Sequence, residues 1–451
     1  MPSNKKPPVK KSEANSASAA AKRKPSPINL VRGMRDILNP DWAYRDKIYA
    51  AAKALATDYE YDRIETPVME ETGLFLRGIG KMTDIVEKEM YSFETAGGDK
   101  VTLRPEGTAA VARAYIQHGM VNRPQPVKLW YWGDMYRHDR PQSGRYRQFT
   151  QFGCECVGDA AAVLDAQQAF LAWKTIEMVG VEAVVHINSI GTPECRVNYK
   201  NALVAYFRSK KHKLSEEDKK RLVKNPMRLL DSKDPGMDEL KLEAPQIVDW
   251  LDEASKAHFM QVLEYLDEMG VPYQLDPYLV RGLDYYTKTV FEIYAVSEDP
   301  EASKLALGGG GRYDGLIETI GGNPTPACGF SIGVDRVVNR LKEIDPEAGA
   351  ISDQRDVYVA QLGDQGRKKA FAIFEALRSG GIPPGASFSK DAIKTQMELA
   401  NKRGAKWAII VGQKEVLDGT AIIRDMDAGT QETVDSKKIV HEIKKKLKIA
   451  E

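Results

Sequence analysis

The chain has 451 residues, 42% of them hydrophobic, and its 65 basic and 64 acidic side chains leave a net charge of +1. That length predicts two or three domains, and the charge balance excludes a global field for nucleic acid, so any RNA-binding surface must be local. No apolar run reads as a membrane span or as a signal-peptide core, which makes a cytoplasmic protein with no membrane partner the expectation.

Residues 1–29 are Lys, Ser, Ala and Pro, with Lys5, Lys6, Lys10, Lys11, Lys22, Arg23 and Lys24 facing one acid, Glu13. Such a segment buries too little surface to offset its ordering entropy and reads as a disordered basic tail. Contact with RNA phosphates and an organelle-targeting leader stay open beside a passive role. From Asp41, the residues Tyr44, Ile48, Ala51 and Leu55 recur at helical spacing, and Tyr61–Pro67 reads as a short strand ended by proline. Leu129–Val157 alternates with period two around a Gln142-Ser-Gly144 loop, the outline of an antiparallel hairpin. Residues 193–262 turn charged and helical, punctuated by Pro226, Pro235 and Pro245, as an insertion between residues 30–192 and 263–345 of one β-rich domain. After Asp345-Pro-Glu-Ala-Gly349 the order becomes strand (Val357–Leu362), helix (Lys368–Leu377), helix (Ile393–Arg403), strand (Trp407–Val411), then Ala421–Arg424. That alternation predicts a separate α/β domain over residues 354–451 with a partly parallel sheet. Its last helix, Lys437–Lys448, sets Ile439, Val440, Ile443 and Leu447 on one face and lysines on the rest. Those lysines read as a solvated face or as a phosphate-facing one.

Gly308–Gly311 is followed by Arg312-Tyr-Asp314, so neither the P-loop nor the GxGxxG spacing is present. Four glycines alone mean a tight turn or a close backbone approach, and any nucleotide must be held by side chains. Strand alternation puts Arg145, Arg147, Phe149, Gln151 and Glu155 on one face, with Phe152, Cys154 and Cys156 on the other. The first set suits gripping phosphate and stacking a base, and it equally describes an exposed sheet face laced with salt bridges. Of the four cysteines, only Cys154 and Cys156 are close in sequence, which predicts reduced thiols rather than a metal site.

The segment Tyr136-Arg-His-Asp-Arg-Pro-Gln-Ser-Gly-Arg-Tyr-Arg-Gln-Phe149, with Gln151 and Glu155 after it, closely resembles motif 2 of histidyl-tRNA synthetases. Gly329-Phe-Ser-Ile-Gly-Val-Asp-Arg336 is similar to motif 3 of class II synthetases, and Arg63-Ile-Glu-Thr-Pro67 to motif 1, the dimer-interface element. Leu279-Val-Arg-Gly-Leu-Asp-Tyr-Tyr286 and Gly309-Gly-Gly-Arg-Tyr-Asp-Gly315 resemble segments specific to the histidine enzymes, and Leu103-Arg-Pro-Glu-Gly-Thr108 resembles their amino-acid-gripping segment. The resemblance runs from about residue 30 to the end of the chain.

It implies the class II fold: an α+β catalytic domain on an antiparallel sheet, the helical insertion near the tRNA acceptor arm, and a C-terminal α/β anticodon-binding domain. The activity implied is ATP-dependent activation of L-histidine and its transfer to tRNA(His), in a homodimer, with Mg2+ accompanying ATP. Arg137 would bridge the histidine carboxylate and the α-phosphate, and Arg281 would stabilise the α-phosphate in the transition state. Phe149 would stack adenine, with Arg145 and Arg336 on the phosphates. Glu106, Gly107, Thr108 and Gln151 would receive the amino-acid backbone, while Glu155, Tyr285, Tyr286 and Tyr313 would form the imidazole pocket. Tyr285 and Tyr313 also read as plain core aromatics. Gln142 matches the bacterial-type residue expected near the extra guanine at the tRNA 5′ end. A regulatory subunit of ATP phosphoribosyltransferase and a pseudo-synthetase sensor share the fold. Such a subunit has eroded motifs and no C-terminal domain, whereas Arg137, Arg281, Arg336 and that domain are present here.

Overall fold

The computed structural model describes residues 27–80, 83–141, 144–230, 232, 234–299, 305–347 and 354–449. Residues 1–26, most of the expected basic tail, lie outside them. The chain divides into two compact units, Met1–Gly349 and Ala350–Glu451.

In the first unit, β5 (Val127–Tyr136) and β6 (Gln148–Val157) form the expected hairpin, with Leu129 opposite Glu155 and Tyr136 opposite Gln148. Four strands from much later or intervening sequence continue the sheet antiparallel from β6: β11 (Ala327–Gly333), β10 (Ala306–Arg312), β9 (Thr287–Ala295) and β7 (Ala183–Ser189). The edges differ from the expectation of a wholly antiparallel sheet. Short β1 (Asp62–Arg63) lies parallel on β5, and β8 (Tyr273–Leu275) parallel on β7. Parallel neighbours need a crossover connection, and both pairs have one, since the whole helical insertion separates β7 from β8. A small sheet of β2 (Met69–Glu71), β3 (Tyr91–Glu94) and β4 (Lys100–Leu103) feeds the chain through Arg104–Gly107 into a buried helix.

Helix α1 (Asp41–Asp58) buries Tyr44, Ile48, Ala51 and Leu55, the stripe its spacing predicts. Helix α2 is Thr72–Gly78, and α3 (Thr108–Gln117) follows the small sheet. Helix α4 (Ala162–Met178) joins α1 against Phe152, Cys154, Phe330 and Ile332 in one core. The opposite side of β6 carries Gln151 and Glu155, as the alternation requires. Helices α5 (Pro193–Ser209), α6 (Glu216–Lys224), α7 (Asp238–Leu242) and α8 (Glu253–Glu268) make up the insertion. Thr192, Ser215 and Asp252 cap α5, α6 and α8 by accepting from the backbone N–H of Cys195, Asp218 and Ser255. Helix α8 runs past the expected boundary at 262, and its Phe259, Val262 and Leu266 enter the core shared with α1 and α4. Helices α9 (Leu316–Thr319) and α10 (Val334–Ile344) complete the unit.

In the second unit, β12 (Val357–Gln361) lies parallel to β13 (Gly385–Ala386) and β14 (Trp407–Val411); β15 (Thr420–Asp425) and β16 (Gln431–Asp435) extend the sheet antiparallel. Helices α11 (Gly363–Ser379), α12 (Ile393–Lys402), α13 (Gln413–Asp418) and α14 (Ile439–Leu447) accompany it. On α14, Ile439 and Ile443 are buried, while Lys446 pairs with Glu432 and lies 4.5 Å over the Trp407 ring. That lysine is packed, so the solvated-face reading does not hold for the whole lysine run. No helix among the described residues is long and apolar enough to cross a membrane.

Candidate active site

A cavity of about 560 Å³ lies over β6, β10 and β11, lined among others by Glu106, Thr108, Arg137, Gln151, Arg281 and Arg336. Gly308 and Gly309 line it, and Gly308–Gly311 is part of strand β10 and not a turn. A Cβ on Gly309 would stand 2.6 Å from Arg281 Nη1 and as close to the Phe291 carbonyl, so close approach is what the glycines provide.

Two buried carboxyl groups sit at one end. Glu106 accepts from the backbone N–H of Thr108 at 2.7 Å and of Ala109 at 2.9 Å, at the start of α3, with Gly107 as the N-cap. Burial raises its pKa, and those donors only partly offset this. Glu155, only 1% exposed, accepts from Thr108 Oγ1 at 2.7 Å and from the Tyr313 hydroxyl. Burial pushes its carboxyl up to about 8 against the pull of Tyr313 and Thr108. Gly329 makes room for it, because a Cβ there would fall 1.8 Å from Glu155 Oε2. Tyr285 stacks at 4.7 Å from Tyr286 and 5.6 Å from Tyr313, and its hydroxyl reaches Glu106 at 3.4 Å. All three rings are buried, and Tyr285 and Tyr286 also line the cavity, so Tyr285 is not a plain core aromatic. Gln151 Oε1 is buried without a hydrogen-bond partner, a polar atom left for a ligand.

Arginines crowd the rest. Arg137 donates from Nε to the Pro105 carbonyl at 2.8 Å and lies 5.3 Å over the Phe149 ring. Arg145 pairs with Asp139 at 3.2 Å. Arg336 donates to the carbonyls of Gly144 and Ala306. Burial first, then the neighbouring Arg145 and Arg137, pull Arg336 down to about 10. Cations that depress one another in a closed space favour a polyanion between them. Arg281 is ion-paired to Glu292, whose other oxygen accepts from Tyr294 at 2.6 Å. Burial opposes the Arg281 charge, but Glu292 and the adjacent tyrosines more than offset it and hold its pKa raised.

The structure departs from the sequence reading at two arginines. Arg145 and Arg147 precede β6 instead of lying on it, so strand alternation does not govern them; Arg147 turns away to donate to the Arg32 carbonyl at 2.9 Å. Gln142 lies outside the described residues. Sequence reasoning also missed Glu292, two residues after Val290 on β9, and the ties that hold motif 3. Asp335 accepts from Arg45 at 2.8 Å, from the Thr150 N–H at 2.9 Å, and from Arg35. The only available signal for Glu292 was an acid on a strand otherwise apolar at Val290, Phe291 and Ile293.

The arrangement joins a deep polar pocket, lined with carboxyl and phenol groups, to a basic chamber with a half-buried aromatic plate, Phe149. The family model described as histidyl-tRNA synthetase matches residues 33–337 of this chain. The chain belongs to the histidyl-tRNA synthetase family. A second model, described as an anticodon binding domain, matches residues 356–446. The histidine–tRNA ligase of Dehalococcoides mccartyi is 43% identical over 417 residues, which cover 92% of this chain and 99% of that protein. The histidine–tRNA ligase of Synechococcus sp. is 42% identical over 90% of this chain and 96% of its own length. Among solved structures, the apo histidyl-tRNA synthetase of S. aureus matches with a TM-score of 0.73 at 36% identity, covering 92% of this chain and all (100%) of that one. Synthetases of this family use ATP.

Proposed function

We propose that this chain is a histidine–tRNA ligase, which activates L-histidine with ATP to histidyl-adenylate and transfers it to the 3′ end of tRNA(His), releasing AMP and diphosphate. The observation that carries the proposal is the joining, in one cavity, of the Glu106/Thr108/Gln151 polar cluster to Arg137, Arg145, Arg281 and Arg336. Histidine enters with its imidazole toward Glu155, Tyr286 and Tyr313 and its α-ammonium toward Glu106, Thr108 and Gln151. Its carboxylate then meets Arg137, which also faces the ATP α-phosphate. In-line attack by the carboxylate builds negative charge on that phosphate, and Arg281 stabilises it. Phe149 stacks adenine, and Arg145 and Arg336 take the outer phosphates. Magnesium would come with ATP as its counterion and offset phosphate charge; the lining carboxylates Asp139 and Glu292, each paired with an arginine here, are the groups that could turn to it.

The domain limits proposed are residues 30–192 and 263–345 for catalysis, 193–262 for the insertion near the acceptor arm and 354–451 for the anticodon, with Gln142 near the tRNA 5′ end. A cytoplasmic homodimer completes the reading. Around motif 1, Val68, Met69 and Phe93 stand exposed, apolar surface of the kind a second copy would cover. The test is ATP–pyrophosphate exchange across single amino acids. Exchange with histidine alone supports the proposal; exchange with threonine, proline or glycine, or with none, refutes it.

A further inference from the structure

The insertion does more than pack beside the catalytic sheet: it holds the loop that carries Arg281. Three hydrogen bonds join it to Tyr278–Tyr286. Arg196 on α5 donates to the Tyr286 carbonyl at 2.7 Å, and Tyr278 donates from its hydroxyl to the Leu242 carbonyl on α7 at 3.1 Å. Arg228, in the turn beyond α6, donates from Nη2 to the Gly282 carbonyl at 2.9 Å. Its other nitrogen, Nη1, lies 2.6 Å from Asp84 Oδ2, and Asp84 itself lines the active-site cavity. Lys224 reaches Glu87 at 3.0 Å across the same seam. Gly282 directly follows Arg281. The Arg281 guanidinium is anchored on Glu292, so this catalytic side chain is fixed at its tip by β9 and at its backbone by the insertion.

A surface ion pair alone contributes little, and pinning the insertion in place would be the ordinary reading of Arg228. Two details go further. The Arg228 side chain is only 17% exposed, and a planar fork is needed to serve a carboxylate and a carbonyl together. The carbonyl it holds, moreover, belongs to the residue next to the proposed transition-state donor.

We propose that Arg228 is a positioning residue for Arg281, acting through the Gly282 carbonyl, so that the insertion sets the rate of adenylate formation. This rests on the reading of Arg281 given above. Histidine-dependent pyrophosphate exchange on the full chain, with Arg281→Ala as a reference, checks that reading separately. The proposal itself is tested by Arg228→Gln, Arg228→Lys and the double variant Arg228→Gln/Arg281→Ala. Arg228→Gln is expected to lower kcat about tenfold with the KM for histidine and ATP within about twofold, as for a small misplacement of a reacting group. Arg228→Lys, which keeps the Asp84 pair but cannot also reach Gly282, should be equally slow. In the Arg281→Ala background, Arg228→Gln should cost nothing further, because the two act as a unit. Full rate in Arg228→Lys would assign the effect to the ion pair and overturn the proposal. So would an undiminished tenfold loss in the Arg281→Ala background, the result expected of a merely structural residue. Full rate in Arg281→Ala alone would instead sink the role of Arg281 on which the proposal stands.

Discussion

Replacing Glu155 by Gln should flatten the pH dependence of stability in the catalytic unit. The carboxyl is buried beneath the cavity with two neutral donors, Thr108 and Tyr313, and its pKa rises from 4.5 to about 8. A group whose folded pKa lies above its unfolded one binds its proton more tightly in the folded state. Its contribution is therefore fully present below about 4.5 and is lost progressively as pH rises through about 8. At 1.36 kcal/mol per unit, the loss between about pH 6 and about pH 9 is about 3 kcal/mol. Gln keeps the shape and a hydrogen-bonding end but does not titrate, so the variant should lack that decline. The assay is urea unfolding of both proteins at the two pH values, with Trp407 replaced by Phe so that tryptophan emission reports the catalytic unit alone. Parallel loss of stability in parent and variant would show that Glu155 is not the buried acid and would remove the basis for its role in the pocket.

Arg281→Ala should slow histidyl-adenylate formation by about 10²- to 10³-fold, as for loss of a transition-state donor, while calorimetric affinities for histidine and ATP fall much less; affinities that collapse with the rate would make Arg281 a ground-state clamp. Gly329→Ala should raise the KM for histidine far more than that for ATP, because the new methyl would meet Glu155 Oε2 at 1.8 Å and the Cys154 carbonyl at 2.7 Å; equal rises would place Glu155 outside the histidine site. Asp165→Asn should destabilise the unit by about 3–5 kcal/mol, since it strips the carboxylate from Arg312, which is fully buried (0% exposed) and bound to it at 2.6 Å; a calorimetric Tm unchanged from the parent would contradict this. Cutting after Pro346 should spare pyrophosphate exchange in part while tRNA charging falls far more, and equal charging by the truncated protein would refute the anticodon assignment.

The residues that converge on the cavity were legible because they sit in short runs whose order and chemistry survive in one dimension. Phe149, Gln151 and Glu155 follow strand alternation, and Arg281 to Tyr286 are contiguous. What holds those residues was not legible. Glu292, Asp335 and Arg228 act on partners brought near by sheet pairing and by the insertion, and their own neighbourhoods do not say which partners those are. The glycines of β10 had two readings because a turn and a close strand approach ask the same of a residue, the absence of a Cβ. Of the parallel edges, β1 falls inside the strand expected over Tyr61–Pro67, but its parallel pairing did not show, and β8, three residues long, is too short for alternation to register.

The strand order also dictates a schedule. Strand β6 pairs with β11, so one edge of Gln148–Val157 waits for Ala327–Gly333 before its hydrogen bonds are met. During synthesis the insertion emerges within that interval, and its Tyr199, Leu203 and Phe207 belong to a buried cluster shared with Leu129, Tyr131 and Tyr286. The chain thus adds the insertion while an open strand edge stands beside it, the kind of transient surface that invites pairing with another nascent chain. Long-range pairing of this kind makes folding slow and places the hazard before residue 327, well ahead of the C-terminal unit.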